Sequence, residues 1–294
     1  MTSFTGTATA LVTPFLPDES IDFDSLGKLI DFQIEQGIEG IVPCGSTGEA
    51  ATMSYQEKVS VIRFTIERAA GRVKVIAGTG SNDTRATITL TRTAKELGAD
   101  AVLLVAPYYN KPTQNGFFEH FRAIAEAVDI PQIIYNVPGR TGSNIIAETQ
   151  LRIAECSTNI IATKEASANL EQMMEIIANA PSHFSVLSGD DSLALPVIAC
   201  GGRGVIAVIS NYAPKRFGDL VRAALKGDYA EARSLQYGLL PMMKLNFIES
   251  NPIPVKFILS QLGMMEEIYR LPLTPASISS KEAILFGMKQ CGIE

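Results

Sequence analysis

The hydrophobic pattern alternates between two kinds of segment. Short runs that are apolar almost throughout, beginning with Ala8-Thr9-Ala10-Leu11-Val12, are followed by longer stretches, beginning with Phe23 to Gln36, in which apolar residues recur at helical spacing. The first kind predicts a strand buried on both faces, and the second an amphipathic helix. The same pair returns as Gly40-Ile41-Val42-Pro43 with Tyr55 to Ala69, as Val73-Lys74-Val75-Ile76-Ala77 with Thr84 to Leu97, and as Ala101-Val102-Leu103-Leu104-Val105 with Asn115 to Val128. Later strands are predicted at Gln132-Ile133-Ile134-Tyr135, Ile160-Ile161-Ala162-Thr163, Phe184-Ser185-Val186-Leu187 and Gly204-Val205-Ile206-Ala207-Val208, each followed by a helical candidate. Gly37 and Gly98 stand where a left-handed cap turns a helix back into the next strand.

Fully apolar strands separated by single helices require a parallel sheet covered by helices, and about eight such units close on themselves. The fold class is therefore α/β, with a (β/α)8 or TIM barrel favoured over an open doubly wound sheet. Past Pro214 the strand signal stops, and Tyr229 to Phe247, Pro254 to Leu262 and Ser280 to Lys289 read as helices divided by Pro252, Pro254, Pro272 and Pro275. The predicted organisation is a catalytic barrel over residues 1–225 and a C-terminal helical extension over residues 226–294.

Composition narrows the chemistry. The chain of 294 residues is 46% hydrophobic and 19% charged, with formal net charge -6 and no concentrated basic stretch, so nucleic-acid binding is not expected. The amino terminus lacks the basic start and apolar run of a signal peptide, and no apolar run approaches the roughly 20 residues of a membrane span. Cys44, Cys156, Cys200 and Cys291 lie far apart without metal-ligand spacing, and read as reduced thiols of a cytoplasmic protein. The two histidines, His120 and His183, have no ligand-spaced partners. They are expected on exposed or helix-surface positions, and no metal site is expected. Acid–base work then falls to Lys, Tyr, carboxylates or hydroxyls.

In such a barrel the active site lies at the C-terminal ends of the strands. Reactive groups gather there: Gly45-Ser46-Thr47-Gly48-Glu49 after the second strand, Pro107-Tyr108-Tyr109-Asn110 after the fourth, Tyr135 through Gly142 after the fifth, Lys164-Glu165 after the sixth, and Ser188-Gly189-Asp190-Asp191 after the seventh. Burial of Lys164 beside the barrel interior disfavours its ammonium form and leaves neutral amine to attack a carbonyl, although a strand-end lysine also snorkels to solvent. The glycine-flanked hydroxyls of Ser46 and Thr47, with neighbouring backbone N–H groups, form either a plain turn or a seat for a carboxylate. Tyr108 and Tyr109 read as interface aromatics. Arg140, in a loop set by Pro138, Gly139 and Gly142, either faces solvent or binds a carboxylate bidentately. Gly78-Thr79-Gly80 lacks the third glycine and the downstream acid of a dinucleotide site.

Taken together, Gly45 to Glu49, Tyr135 to Gly142 and Lys164 resemble the dihydrodipicolinate synthase and N-acetylneuraminate lyase superfamily, from Gly6 to the C-terminal helices. The resemblance implies that Lys164 forms an imine with pyruvate and that Tyr135 moves protons beside it. It further implies that Thr47 holds the pyruvate carboxylate, that the Ile206 backbone and Gly189 complete the pocket, and that Ser46, Tyr135 and Tyr109 form a hydroxyl relay. In the family the last of these tyrosines comes from a neighbouring subunit, and a homotetramer built as a dimer of dimers is usual, with no cofactor.

Arg140 favours the branch that condenses pyruvate with L-aspartate 4-semialdehyde in diaminopimelate and lysine biosynthesis. The alternative is another pyruvate-dependent class I aldolase, acting on N-acetylneuraminate or a 2-keto-3-deoxy sugar acid. Ser46 stands where many relatives carry threonine, which keeps the hydroxyl. The segment Ala50 to Lys58 lacks the histidines of lysine-inhibited relatives, although Asn82 and Tyr108 match that regulatory site, so lysine inhibition is not expected.

Overall fold

The computed structural model describes residues 3–294. Its eight strands are β1 (Gly6–Ala10), β2 (Gly40–Val42), β3 (Lys74–Gly78), β4 (Ala101–Val105), β5 (Gln132–Asn136), β6 (Ile160–Glu165), β7 (Ser185–Ser188) and β8 (Gly204–Ala207). They pair in sequence order, all parallel, and β8 returns to β1 to close the barrel. Around it run α1 (Phe23–Glu35), α2 (Tyr55–Ala69), α3 (Thr84–Leu97), α4 (Gln114–Ala127), α5 (Pro138–Thr141), α6 (Ala147–Cys156), α7 (Leu170–Asn179), α8 (Ala194–Ala199) and α9 (Pro214–Leu225). The chain ends in α10 (Tyr229–Leu245), α11 (Ile253–Gln261) and α12 (Ile278–Cys291). Among the described residues no helix is long and apolar enough to cross a membrane.

Alternation along each strand divides the core in two. Ala8, Val42, Ile76, Leu103, Ile133, Leu187 and Ile206 pack together inside the barrel. Their neighbours of opposite parity, including Ile41, Val75, Val102, Ile134, Val186 and Val205, meet the helices in the outer layer. The helices begin where a side chain satisfies their free N–H groups: Asp22 for α1, Asp83 for α3, Thr113 for α4, Asn169 for α7, and a reciprocal Ser54–Glu57 box for α2. Gly37 and Gly98 take the left-handed conformation expected of them, with φ of 79° and 94°.

The first strand ends at Ala10, two residues before its apolar run does. Leu11 and Val12 stay buried without continuing the strand, because apolarity records burial and not ladder pairing. Gly78 and Gly80 serve close packing: a Cβ on Gly78 would meet the Cys44 carbonyl oxygen at 2.2 Å, and one on Gly80 would meet the Val105 nitrogen at 2.2 Å. They let neighbouring segments approach β3 and its exit, which accounts for the Gly-Thr-Gly run without a nucleotide.

Candidate active site

The first wall of the site is built by β5 and β6. Tyr135 and Lys164 are register partners on these strands. Lys164 shares the inward parity of Ala162, which belongs to the interior cluster, so its side chain enters the barrel. Its Nζ lies 4.2 Å from the centroid of the Tyr135 ring, and both residues are buried. The lysine therefore meets the aromatic face of its neighbour, a cation–π placement.

Glu165, one residue on, has the opposite parity and points outward into a fully buried pocket of amides. Its carboxylate accepts hydrogen bonds from Asn136 Nδ2 at 3.0 and 3.1 Å, Gln150 Nε2 at 2.7 Å, Gln172 Nε2 at 3.0 Å and the Ser167 N–H at 3.0 Å. These donors come from β5, α6, α7 and the exit of β6, so the carboxylate knits together the elements that carry Lys164 and Tyr135. After β7, the Gly189 N–H donates to the Glu165 carbonyl oxygen at 2.7 Å, drawing the following loop against the end of β6. In that loop burial pushes the Asp190 carboxyl up from its ordinary range, opposed by the charge of Lys164.

The second wall is the turn after β2. Gly48 N–H and Ala50 N–H donate to the Gly45 carbonyl, and Glu49 N–H to the Ser46 carbonyl. That arrangement leaves the N–H groups of Ser46 and Thr47 outside the turn's own hydrogen bonds. Thr47 is buried, and its Oγ1 accepts a hydrogen bond from Asn251 Nδ2 at 2.9 Å. Arg140 Nη2 donates to the Asn251 carbonyl oxygen at 3.0 Å. Asn251, just ahead of α11, thus touches both the residue proposed for one carboxylate and the residue proposed for the other. Sequence reading missed it and used only the prolines around it as helix breaks.

Between the walls lies a cavity of about 370 Å³, lined by Ser46, Tyr108, Tyr135, Arg140 and Asn251 among others. Lys58 and Ala50 also line it, so it extends toward the segment read as lacking the histidines of lysine-inhibited relatives. Cys44 borders it too, but burial pushes its thiol up to about 12, which leaves it protonated and inert.

Among the remaining expected site residues, Ile206 sits in β8 inside the barrel and shares the interior cluster with Tyr135. Tyr109 is not in the cavity of its own chain: it is 90% exposed and held at φ 69°, projecting from the loop after β4. Arg140 does not lie in an irregular loop. Pro138 starts and left-handed Gly142 ends a single helical turn, which fixes the backbone that presents the guanidinium.

The expectation for His120 is also corrected. It is buried between α4 and α3, hydrogen-bonded through Nδ1 to Thr84 Oγ1 at 2.9 Å and packed edge-on against Phe121. Burial pushes its pKa down to about 4. A helix position three or four residues from other apolar positions places a histidine in the core when a hydroxyl is there to meet it.

Comparison with known proteins agrees with this architecture. The model of the dihydrodipicolinate synthetase family matches residues 3–290. A 4-hydroxy-tetrahydrodipicolinate synthase of Prosthecochloris aestuarii is 50% identical over 292 residues, covering 99% of this chain and 98% of the relative. The crystal structure of dihydrodipicolinate synthase from Aquifex aeolicus superposes with a TM-score of 0.97 at 47% identity, covering 99% of both chains. A chloride-inhibited dihydrodipicolinate synthase from Acinetobacter baumannii, solved with pyruvate, gives 0.97 at 43% identity over 99% of this chain and 100% of that one. With a parallel barrel that presents lysine and tyrosine side by side at its strand ends, and a match running almost from end to end, the chain belongs to the dihydrodipicolinate synthetase family.

Proposed function

We propose that this chain condenses pyruvate with L-aspartate 4-semialdehyde to give 4-hydroxy-tetrahydrodipicolinate, with Lys164 as the residue that forms the imine. The observation that carries the reading is the inward placement of Lys164 against Tyr135 at the end of β6, with Tyr135 and Arg140 lining one cavity. The Lys164 amine attacks the ketone carbon of pyruvate, and loss of water leaves a protonated imine. That imine withdraws electrons from the pyruvate methyl group, which loses a proton to give an enamine. The enamine carbon then attacks the aldehyde of the second substrate, whose amino group displaces Lys164 as the ring closes.

Recognition falls to the second wall. The free N–H groups of Ser46 and Thr47, with the Thr47 hydroxyl, seat the pyruvate carboxylate, while Ile206 and Gly189 bound the pocket. Arg140 receives the carboxylate of the semialdehyde, which favours this substrate over a sugar acid. Ser46, Tyr135 and Tyr109 pass protons between the cavity and solvent. Since Tyr109 projects away from its own chain, it serves a neighbouring copy, and the working assembly is a homotetramer whose minimal competent unit is a dimer. The enzyme acts in the cytoplasm.

The test is to incubate the enzyme with pyruvate, reduce with borohydride and locate the adduct by peptide mass spectrometry. An adduct on Lys164 is expected, together with turnover of aspartate semialdehyde. No adduct there, or efficient cleavage of a sugar acid without semialdehyde condensation, would overturn the reading. Sedimentation across a dilution series tests the assembly: activity per chain should fall as the dimer dissociates.

A further inference from the structure

Glu49 and Lys256 lie 207 residues apart in sequence and form an ion pair at 2.5 Å with essentially no solvent exposure on either side chain. Lys256 is the only charged residue of α11, a helix otherwise of apolar residues, serine and glutamine. Its Nζ also lies 4.4 Å from the centroid of Phe15 and 5.2 Å from that of Tyr269. Burial pushes the lysine pKa down while Glu49 opposes that shift. Replacing such a pair by apolar residues often costs a fold nothing, so its value is to be sought in what it positions.

Glu49 closes the turn that carries Ser46 and Thr47, and its backbone is left-handed at φ 54° although it is not glycine. Its N–H holds the Ser46 carbonyl at 3.2 Å, and its Oε2 accepts the Arg270 backbone N–H at 3.4 Å. One turn of chain before Lys256, Asn251 holds Thr47 directly. The segment from Asn251 to Lys256 therefore grips the turn twice, by the Thr47 hydroxyl and by the Glu49 carboxylate.

We infer that the Glu49–Lys256 pair is a positioning device through which the C-terminal helices set the pyruvate-carboxylate seat at Ser46 and Thr47. Glu49 and Lys256 are positioning residues: neither is assigned contact with substrate. The inference rests on the reading of Thr47 as that seat. The pair acts on pyruvate capture more than on semialdehyde capture, because Glu49 belongs to the turn that carries Ser46 and Thr47, whereas Arg140 stands on α5 and meets the segment only through the Asn251 carbonyl.

The test compares wild type, Lys256→Met and the double variant Glu49→Gln/Lys256→Met, each checked for folding by thermal unfolding. Half-saturation by pyruvate is read from borohydride trapping at Lys164, and KM for aspartate semialdehyde from turnover. The single variant leaves a buried carboxylate without its cation and is expected to lose stability. The double variant removes both charges and is expected to recover it. In the double variant, pyruvate half-saturation is expected to rise about tenfold, the scale of a slightly misplaced binding group, with semialdehyde KM within about twofold. Recovery of stability together with wild-type pyruvate half-saturation would overturn the inference and leave the pair purely structural. Absence of any wild-type adduct would instead remove the imine reading itself, and the inference with it.

Discussion

Two buried glutamates, one on each side of the site, are stabilised in opposite ways. Glu165 receives only neutral donors, Asn136, Gln150, Gln172 and a backbone N–H, all from elements adjacent in the barrel. Glu49 receives an ammonium from a helix some 207 residues downstream. The first wall is a local structure: strand register brings Tyr135 and Lys164 together, and the amide cluster braces the strands from outside. The second is assembled from distant chain, since the turn after β2, the short helix α5 and the approach to α11 meet only when the fold is complete. On the function proposed above, bond making falls to the first wall and substrate recognition to the second. That division lets substrate preference change through the C-terminal helices while the lysine and its neighbour stay in place.

The largest effect should come from the centre of the first wall. Lys164→Ala is expected to lower turnover on the order of a thousandfold or more and to abolish the borohydride-trapped adduct, since Lys164 is the group proposed to form the imine. A folded variant that retained a pyruvate adduct elsewhere would break the assignment of chemistry to β6. Next is Glu165→Gln, which puts an amide donor where the surrounding amides need an acceptor. It should cost about 2–3 kcal/mol of stability by urea unfolding, as expected when buried donors lose an ionised partner. A neutral result would show that the cluster repacks and does not brace the wall.

On the second wall, Arg140→Ala is expected to raise the KM for aspartate semialdehyde about thirtyfold, equivalent to about 2 kcal/mol of lost charge-assisted bonding. Pyruvate trapping at Lys164 should continue. Because Arg140 also bonds the Asn251 carbonyl, Arg140→Lys is informative: it keeps the charge and loses the planar fork. If lysine restores full activity, a point charge suffices and bidentate recognition is not the role of this residue.

The side chains proposed for both walls, Tyr135 and Lys164 on one and Ser46, Thr47 and Arg140 on the other, were legible in the sequence, and what holds them in place was not. Strand runs and alternating helices announced the barrel, and the strand-end rule then directed attention to Tyr135 and Lys164. Inward parity at Lys164 was within reach too, two positions beyond Ala162, but a parallel strand apolar on both faces gives no contrast from which to read it. The Glu165 cluster was hidden because Asn136, Gln150 and Gln172 look like ordinary polar residues until register turns them toward one another. On the second wall, Asn251 and Lys256 carried only a weak signal, a lone lysine in an apolar helix after an Asn-Pro break. Pairing across 207 residues has no local periodicity to betray it. His120 failed for a related reason, as its burial depends on Thr84 of the neighbouring helix.

The smallest expected effect concerns how far the second wall depends on charge at its rim. Arg270 donates to Glu57 and to the carbonyls of Glu19 and Thr52, tying the segment before α12 to α2 and to the turn beside the cavity. The hydrogen bond from Arg270 holds the Glu57 carboxyl down at about 2, below its ordinary 4.5, with burial opposing. A carboxyl depressed on folding binds fewer protons in the native than in the unfolded chain between those values. Its contribution is thus fully present above about 4.5 and is lost as pH falls toward 2. Glu57 is partly exposed, so solvent screening should limit the difference to a few tenths of a kcal/mol. Urea midpoints of wild type and Glu57→Gln, measured from pH 6 to pH 3, should therefore converge as the medium becomes acid. Parallel curves would mean that the rim is held by the Arg270 contacts to carbonyl oxygens alone, and that charge matters to this wall only where it is buried, at Glu49 and Lys256.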